Sequence, residues 1–162
     1  VARFHNIFGP QGTWDGGKEK APAALLRKAA QTEIGEAFEV WGDGNQTRSF
    51  LYVDECIEAV LKFMNSSFLG PVNIGSEEMV SINELASLAV RVSKKNINFQ
   101  NIYGDSFKKK YGFDCPVGVM GRNSHNKLFK EKVGWEVSQS LEVGLEKTYP
   151  WILEQVELNS SK

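Results

Sequence analysis

Two arginines, Arg48 and Arg122, each follow a turn-rich stretch of the sequence. A guanidinium presents planar, paired N–H donors, so arginine is the side chain best suited to grip a phosphate or diphosphate. A surface salt bridge is the alternative at either position. Arg48 lies in the segment 42–55, in which a Gly-Asp-Gly turn is followed by alternating polar and apolar residues and then by Asp54.

The elements around Arg48 are predicted from local patterns. Residues 38–41 and 48–53 indicate two short strands around the turn at 42–44, and that tripeptide alone would indicate a hairpin. Asp54 is a natural N-cap for the next helix. Four residues at helical spacing form the predicted apolar stripe of that helix, namely Ile57, Val60, Leu61 and Met64.

The rest of the chain alternates short strands with helices, which favours an α/β fold. Segment 106–121 has no clear period and is predicted to be a loop, and Pro150 should kink or break the last helix. The other predicted elements are a strand at 1–8, a helix from Pro22, a strand at 72–74, a helix opened by a capping box at Ser81 and Glu84, a strand at 96–103, a short helix at 126–133 and a helix at 140–157.

Composition indicates one domain, residues 1–162, with 41% apolar and 24% charged residues. A net charge of -1 excludes bulk attraction to nucleic acid or anionic membranes, and no apolar run is long enough to span a bilayer. Cys56 and Cys115 are too few for a disulfide framework, so a reducing cytoplasm fits best. His5 and His125 lack ligand partners at metal-binding spacing, so no metal is expected.

Three segments together carry a resemblance to a known family. The Gly-Asp-Gly-x-x-x-Arg string in 42–55, the Arg-x-x-Asn-x-Phe-Gly-Pro string at 3–10 and Val-Asn-Ile-Gly at 72–75 resemble the extended short-chain dehydrogenase/reductase family of sugar-nucleotide epimerases and dehydratases. The resemblance is strongest to family members that epimerise GDP-mannose. The segments that carry it are 12–24, 44–50, 75–81 and 121–124.

The resemblance implies a divided enzyme. In the family members that it resembles, NAD oxidises the sugar of GDP-mannose at C4, acid/base residues epimerise C3 and C5, and the cofactor reduces the ketone again to give GDP-L-galactose. This chain contains neither the glycine-rich dinucleotide loop nor a Tyr-x-x-x-Lys pair. We therefore expect it to be the substrate-binding C-terminal part, without the NAD-binding Rossmann half, and inactive alone. A homodimer and a place in plant ascorbate supply are further expectations.

The resemblance also assigns roles to individual residues. Lys20 falls on the acid/base lysine, and Arg48 and Arg122 fall on diphosphate ligands. Asn6 can donate its amide to a phosphate or sugar oxygen. The other positions that would line the substrate are Glu19, Ala21, Lys28, Gln46 and Thr47.

Departures from the family pattern leave an alternative open. His125 stands where the family has aspartate, segment 98–117 is longer than the family's linker, and Pro150 interrupts a regular helix. A truncated, non-catalytic homologue that binds a nucleotide sugar or a full-length subunit would tolerate such changes. A different epimerase or dehydratase of the family is a third interpretation, and Lys18-Glu19-Lys20 argues against it.

Overall fold

The structure is a computed structural model that describes residues 1–116 and 118–160. The strands in this part of the chain are β1 (Ala2–Phe4), β2 (Ile7–Phe8), β3 (Ala37–Trp41), β4 (Thr47–Ser49), β5 (Leu51–Tyr52), β6 (Val72–Ile74), β7 (Met79–Ser81), β8 (Asn98–Ile102) and β9 (Gly121–Arg122). The helices are α1 (Ala21–Gln31), α2 (Val53–Met64), α3 (Ile82–Ser93), α4 (Gly104–Tyr111), α5 (Lys127–Val133) and α6 (Leu141–Ser160). The predicted α/β class is confirmed.

Most strand pairs are parallel and join distant parts of the chain. β1 pairs with β6, β2 with β5 and β3 with β8, all in parallel, whereas β4 lies between antiparallel β7 and parallel β9. The hairpin interpretation of the turn at 42–44 is wrong, because β3 and β4 belong to different sheets. Parallel pairing requires long crossovers, and the helices supply them.

The larger of two hydrophobic clusters lies where α1, α3 and α6 pack against one another and against β3. We call it the large core. Its apolar side chains follow the helical spacing that the sequence predicts for these three helices, and burying each leucine or isoleucine contributes about 1.5–3 kcal/mol. Fully buried members are Leu26, Ala29, Leu85, Ala86, Leu145 and Ile152.

Both ends of α1 are defined by side-chain chemistry. Pro22 lies in the first turn, where its missing N–H costs nothing, as predicted. At the other end the ammonium group of Lys95 donates to the carbonyl oxygens of Ala29 at 3.2 Å and Ala30 at 2.9 Å, and also to that of Thr32. These are carbonyl groups that a helix end leaves without partners.

A second cluster, the small core, lies between α2, β6 and α5. The carboxylate of Glu55 on α2 is only 2% exposed, and it accepts hydrogen bonds from the backbone and hydroxyl of Ser138 at 2.9 and 2.6 Å and from Gln139 at 2.9 Å. These bonds tie α2 to the segment that leads into α6. The members of the small core are Leu51, Cys56, Ala59, Val72, Ile74, Phe129 and Trp135.

The predicted face of α2 is wrong at three of its four positions, and only Val60 is partly buried against the small core. Ile57, Leu61 and Met64 are 53%, 54% and 74% exposed, while Cys56 and Ala59 face the small core. The helix also begins two residues earlier than expected, so that Tyr52 is the N-cap and Asp54 lies in the first turn. An apolar stripe predicts burial only if some other element covers it, and within the described residues nothing does.

Segment 98–116 also differs from the prediction. Part of the expected loop is the helix α4, which packs on the outer side of β3. Phe107 is fully buried with its ring 5.1 Å from that of Trp41, in an edge-to-face arrangement. The carboxylate of Glu39 accepts from Lys110 at 2.6 Å and Tyr111 at 2.5 Å, which anchors the helix.

Two predictions about helix ends have opposite outcomes. The capping box is confirmed, since Ser81 accepts from the backbone of Glu84 and the Glu84 carboxylate accepts from the backbone of Ser81. Of the kink or break expected at Pro150, the break is wrong, because α6 continues through it, and the kink stays a prediction. Pro150 is exposed, so water can satisfy the carbonyl that loses its helical partner, while Tyr149 and Ile152 hold the helix in the large core.

Candidate functional site

The two predicted diphosphate ligands meet on adjacent strands. β4 and β9 run parallel, and Arg48 is the register partner of Arg122. Neighbouring strands lie about 4.8 Å apart and paired residues share a face, so the two guanidinium groups project from one surface. Gln46 lies two positions before Arg48, on the same side by strand alternation, whereas the side chain of Thr47 belongs to the opposite side.

Backbone carbonyl groups hold the Arg48 guanidinium. Its Nη1 donates to the carbonyl of Thr47 at 2.7 Å and its Nη2 to that of Val119 at 2.6 Å. Within residues 1–116 and 118–160 neither Arg48 nor Arg122 forms an ion pair with a carboxylate. The remaining N–H donors of this arginine pair are therefore free to bind an anion.

Asn6 lies beside the end of β4. Its side-chain amide donates to the carbonyl of Ser49 at 2.9 Å, and its own carbonyl accepts from Leu51 at 3.2 Å. Its φ of 45° is in the left-handed region, which asparagine tolerates better than most residues. This conformation separates β1 from β2 and brings Asn6 next to the strand that carries Arg48.

Lys20 occupies the N-cap of α1, with an extended backbone and an exposed side chain. Ala21 is the first residue of the helix. The preceding loop turns through Gly16 and Gly17, whose φ values of 89° and 82° are unfavourable for any other residue. This turn brings the neighbouring Glu19 back against the helix, so that its carboxylate does not face solvent with Lys20.

Glu19 is paired with Arg27 on α1. The Glu19 side chain is 7% exposed, and its Oε1 accepts from Nη2 of Arg27 at 2.9 Å. Burial acts to raise the pKa of Glu19, but the backbone groups of Glu19 and Gly17 and the guanidinium of Arg27 outweigh it, so the pKa lies below its usual range. Neither backbone group reaches hydrogen-bond geometry with Oε2, which is buried and has no partner among the described residues.

Lys28 faces a different neighbourhood from Lys20. Its ammonium group donates to the carbonyl of Glu39 at 2.7 Å and lies 5.6 Å from the centre of the Trp41 ring. Burial, together with the positive charge of Arg27, holds the pKa of Lys28 below its usual range. Gly42 follows Trp41, and a Cβ added there would lie 3.4 Å from the Gln46 amide. Lys28 thus lies beside Trp41 and not beside the arginine pair.

The predicted residues therefore form two groups in the structure. Asn6, Gln46, Arg48 and Arg122 gather around β4, and Glu19, Lys20 and Ala21 gather at the start of α1, while Lys28 lies towards Trp41. Sequence reasoning missed Arg27 and the Val119 carbonyl. A spacing of eight residues between Glu19 and Arg27 across a glycine turn is not a recognisable pattern, and a backbone acceptor leaves no trace in residue types.

A cavity of about 840 Å³ lies beside this region, and none of the predicted site residues lines it. Polar groups in its walls form hydrogen bonds within the protein. Asn126 donates its backbone N–H to Glu77 at 2.6 Å and its amide to the carbonyl of Gly75 at 2.7 Å. Gly75 has no room for a side chain, because an added Cβ would lie 2.6 Å from Ser124 and 2.7 Å from His5. We therefore interpret the cavity as a feature of how these residues pack and not as part of the candidate site.

The described residues do not fit a dinucleotide cofactor. Such cofactors need a glycine turn between a strand and a helix whose first N–H groups are free. α2 follows β5 directly, the capping box of Ser81 and Glu84 already satisfies the start of α3, and the glycine-containing connection from β2 to α1 is a long loop over residues 9–20 and not a tight turn. Over the same residues there is no cluster of three His, Cys, Asp or Glu side chains able to hold a metal ion, and no helix has the length and hydropathy of a membrane span.

Comparisons with known proteins agree with this geometry. Residues 1–75 match the sequence model of the NAD dependent epimerase/dehydratase family. The whole chain is 51% identical to GDP-mannose 3,5-epimerase of Arabidopsis thaliana and covers 40% of that protein. It is also 52% identical over 157 residues to GDP-mannose 3,5-epimerase 1 of Oryza sativa subsp. indica, with 97% of this chain and 38% of the relative covered.

The fold has a solved counterpart. UDP-glucose 4-epimerase of Thermotoga maritima, crystallised with UDP-glucose, superimposes with a TM-score of 0.74 at 25% identity, over 96% of this chain and 46% of that one. The structure is thus a part of the extended short-chain dehydrogenase/reductase epimerase fold. The chain spans about two fifths of the length of the curated relatives that it matches.

Proposed function

We propose that this chain, which is similar over its whole length to GDP-mannose 3,5-epimerase, is the substrate-binding C-terminal part of such an enzyme. The complete protein would convert GDP-mannose to GDP-L-galactose and would be an isomerase. The observation that carries the proposal is the pairing of Arg48 with Arg122 across β4 and β9. Two arginines on strands about 4.8 Å apart, neither paired with a carboxylate among the described residues, match the two charged phosphates of a nucleoside diphosphate.

The diphosphate would lie across the face of the β4–β9 pair. Val119 and Thr47 hold Arg48 through their carbonyl groups, so the guanidinium loses little conformational freedom on binding. Arg122 is exposed and carries the second charge. Gln46 on the same side can donate an amide hydrogen bond. The backbone N–H and carbonyl of Thr47 are both engaged within the protein, so Thr47 would contribute by supporting this face.

The hexose would extend towards the start of α1. Lys20 is exposed there, and its ammonium group would hold and return a proton at the epimerised carbon. Glu19 beside it has a buried carboxylate oxygen without a hydrogen-bond partner in the described part of the chain, and Asn6 lies at the end of β4. Lys28 would serve the distant end of the ligand, beside Trp41.

The remaining parts of the proposal concern the complete protein. NAD would be bound by a part of the enzyme outside this chain, because the described residues do not fit it, and the chain alone would not turn over. A cytoplasmic homodimer that supplies GDP-L-galactose for ascorbate synthesis is the corresponding cellular proposal. Its support is the identity to the two plant enzymes.

Calorimetric titration of the chain tests the binding proposal. We expect GDP-mannose and GDP to bind and free mannose not to bind. Arg48→Lys keeps the charge but loses the paired donors, so it should weaken both nucleotides by about 10–100-fold, the equivalent of 1.5–3 kcal/mol. Arg91→Lys is the matched control, since Arg91 forms an exposed pair with Glu142 far along the chain.

Two results would contradict the proposal. A folded wild-type chain that takes up neither GDP-mannose nor GDP would reject nucleotide-sugar binding. Conversion of GDP-mannose by the purified chain alone would reject a divided active site. The non-catalytic alternative predicts binding without any gain of turnover when the missing part is restored.

A further inference from the structure

Arg27 forms polar contacts with three residues of the loop that precedes α1. It lies about two helical turns beyond Lys20, with an 18% exposed side chain. Its Nε donates to the carbonyl of Trp14 at 3.1 Å and lies 3.4 Å from a carboxylate oxygen of Asp15, while its Nη2 donates to Glu19 at 2.9 Å. One guanidinium thus holds three points of a glycine-rich loop.

Only one oxygen of the Glu19 carboxylate has a hydrogen-bond partner among the described residues. Arg27 binds Oε1, and Oε2 is buried without a hydrogen-bond partner among the described residues. A buried acceptor without a donor destabilises the fold, and more so when it is charged. A feature of this kind beside an exposed lysine indicates that a bound molecule supplies the missing donor. A sugar hydroxyl is such a donor.

We propose that Arg27 is a positioning residue for the candidate site. It folds the loop 14–19 against α1, so that Glu19 keeps one oxygen ready for a hydroxyl of the bound hexose and Lys20 is fixed at the helix start. This inference rests on the proposed function for the identity of the ligand. The placement of the loop by Arg27 does not depend on it.

Arginine is required here because of its geometry. Lysine would keep the positive charge but could not reach the carbonyl of Trp14 and both carboxylates from one planar group. The backbone of the loop is free to move at Gly16 and Gly17, around which no atom would contact an added Cβ. Without Arg27, the loop would retain the packing of Trp14 on the large core but would lose its polar attachments.

A titration without ligand tests the positioning role. The Glu19 carboxyl is followed by carbon NMR, and backbone exchange over 14–20 is measured in the wild type, Arg27→Met, Arg27→Lys and the control Arg91→Met. We expect Arg27→Met to raise the pKa of Glu19 and to speed exchange about tenfold or more, with Arg27→Lys restoring the pKa in part but not the protection. Unchanged pKa and exchange in Arg27→Met would overturn the inference. If Arg27→Met fails to fold, Arg27→Lys decides the matter by its exchange.

Binding then tests the ligand that the loop serves. Arg27→Lys and Glu19→Gln should each weaken GDP-mannose by about tenfold, the value of a hydrogen bond to a charged group, and leave GDP within about twofold. Equal weakening of GDP would overturn the assignment to the hexose. If the wild type binds neither nucleotide, the proposed function fails, and the titration still decides whether Arg27 positions the loop.

Discussion

The two hydrophobic clusters differ in how completely the chain covers them. In the large core, α1, α3 and α6 cover one another, and each places its predicted apolar face inward. In the small core, α2 buries Cys56 and Ala59 but leaves Ile57, Leu61 and Met64 open. The first region is closed by its own elements, whereas the second has an apolar surface that its own elements do not use.

The sheet associated with the small core shows the same difference. β1 pairs on one side with β6, and within the described residues its other edge has no strand partner. Phe4 on that strand and Val1 just before it are exposed. Parallel strands are normally covered on both faces and extended by further strands. The small core therefore resembles one side of a protein interface.

The largest expected effect separates the two regions by stability. Leu26→Ala removes a fully buried side chain from the large core and should cost about 2–5 kcal/mol of unfolding free energy. Leu61→Ala on the open face of α2 should change it by less than about 0.5 kcal/mol. Urea unfolding measures both. Similar losses for the two variants would show that the open face is packed in solution and would break the comparison.

A smaller effect should appear at the connection between the regions. Burial acts to raise the pKa of Glu55, but the hydrogen bonds from Ser138 and Gln139 and the charge of Lys147 lower it below its usual range. A carboxyl with a lowered folded pKa stabilises the fold above its unfolded pKa, near 4.3, and this contribution is lost as the pH falls through the folded value.

Glu55→Gln should therefore cost about 1–3 kcal/mol at neutral pH and flatten the fall in stability below about pH 5. Urea midpoints across this pH range provide the measurement. The control is Glu58→Gln, at an exposed residue of the same helix that pairs with Lys62. An unchanged acid profile in Glu55→Gln would mean that this carboxylate does not connect the two regions.

The smallest effect on stability should come from the open face itself. A triple variant, Ile57→Glu, Leu61→Lys and Met64→Glu, should shift unfolding free energy by less than about 0.5 kcal/mol yet weaken self-association of the chain. Sedimentation velocity measures the association. Ile34→Glu with Leu158→Lys, at exposed apolar positions elsewhere, is the matched control. A wild-type chain that is already monomeric at high concentration would contradict self-association through the open face of α2.

Predictions from the sequence were most accurate where a pattern depends on a single secondary-structure element. The capping box at Ser81 and Glu84 and the start of α1 at Pro22 need only neighbouring residues, and both are confirmed. The stripe on α2 was assigned correctly as apolar, but its burial depends on what covers it. The hairpin failed for a similar reason, because local turn chemistry does not say which strand β3 will join.

The candidate site was predictable in its residue types and not in its contacts. Arg48 and Arg122 were named from separate motifs, and only the parallel register of β4 and β9 makes them neighbours. The helix α4 was not predicted within segment 98–116, because its aromatic residues pack on Trp41 in β3 and not on an element adjacent in sequence. Arg27 escaped notice because its three acceptors lie in a loop without secondary structure.

The hold of Lys95 on the last carbonyl groups of α1 has a mechanical consequence. Lys95 lies just beyond the end of α3, so a displacement of α3 would also move the C-terminal end of α1. A helix of 11 residues is a stiff rod of about 16 Å, and its opposite tip carries Lys20. A force applied to α3 would thereby reach Lys20 through the axis of α1 and not through the β4–β9 pair.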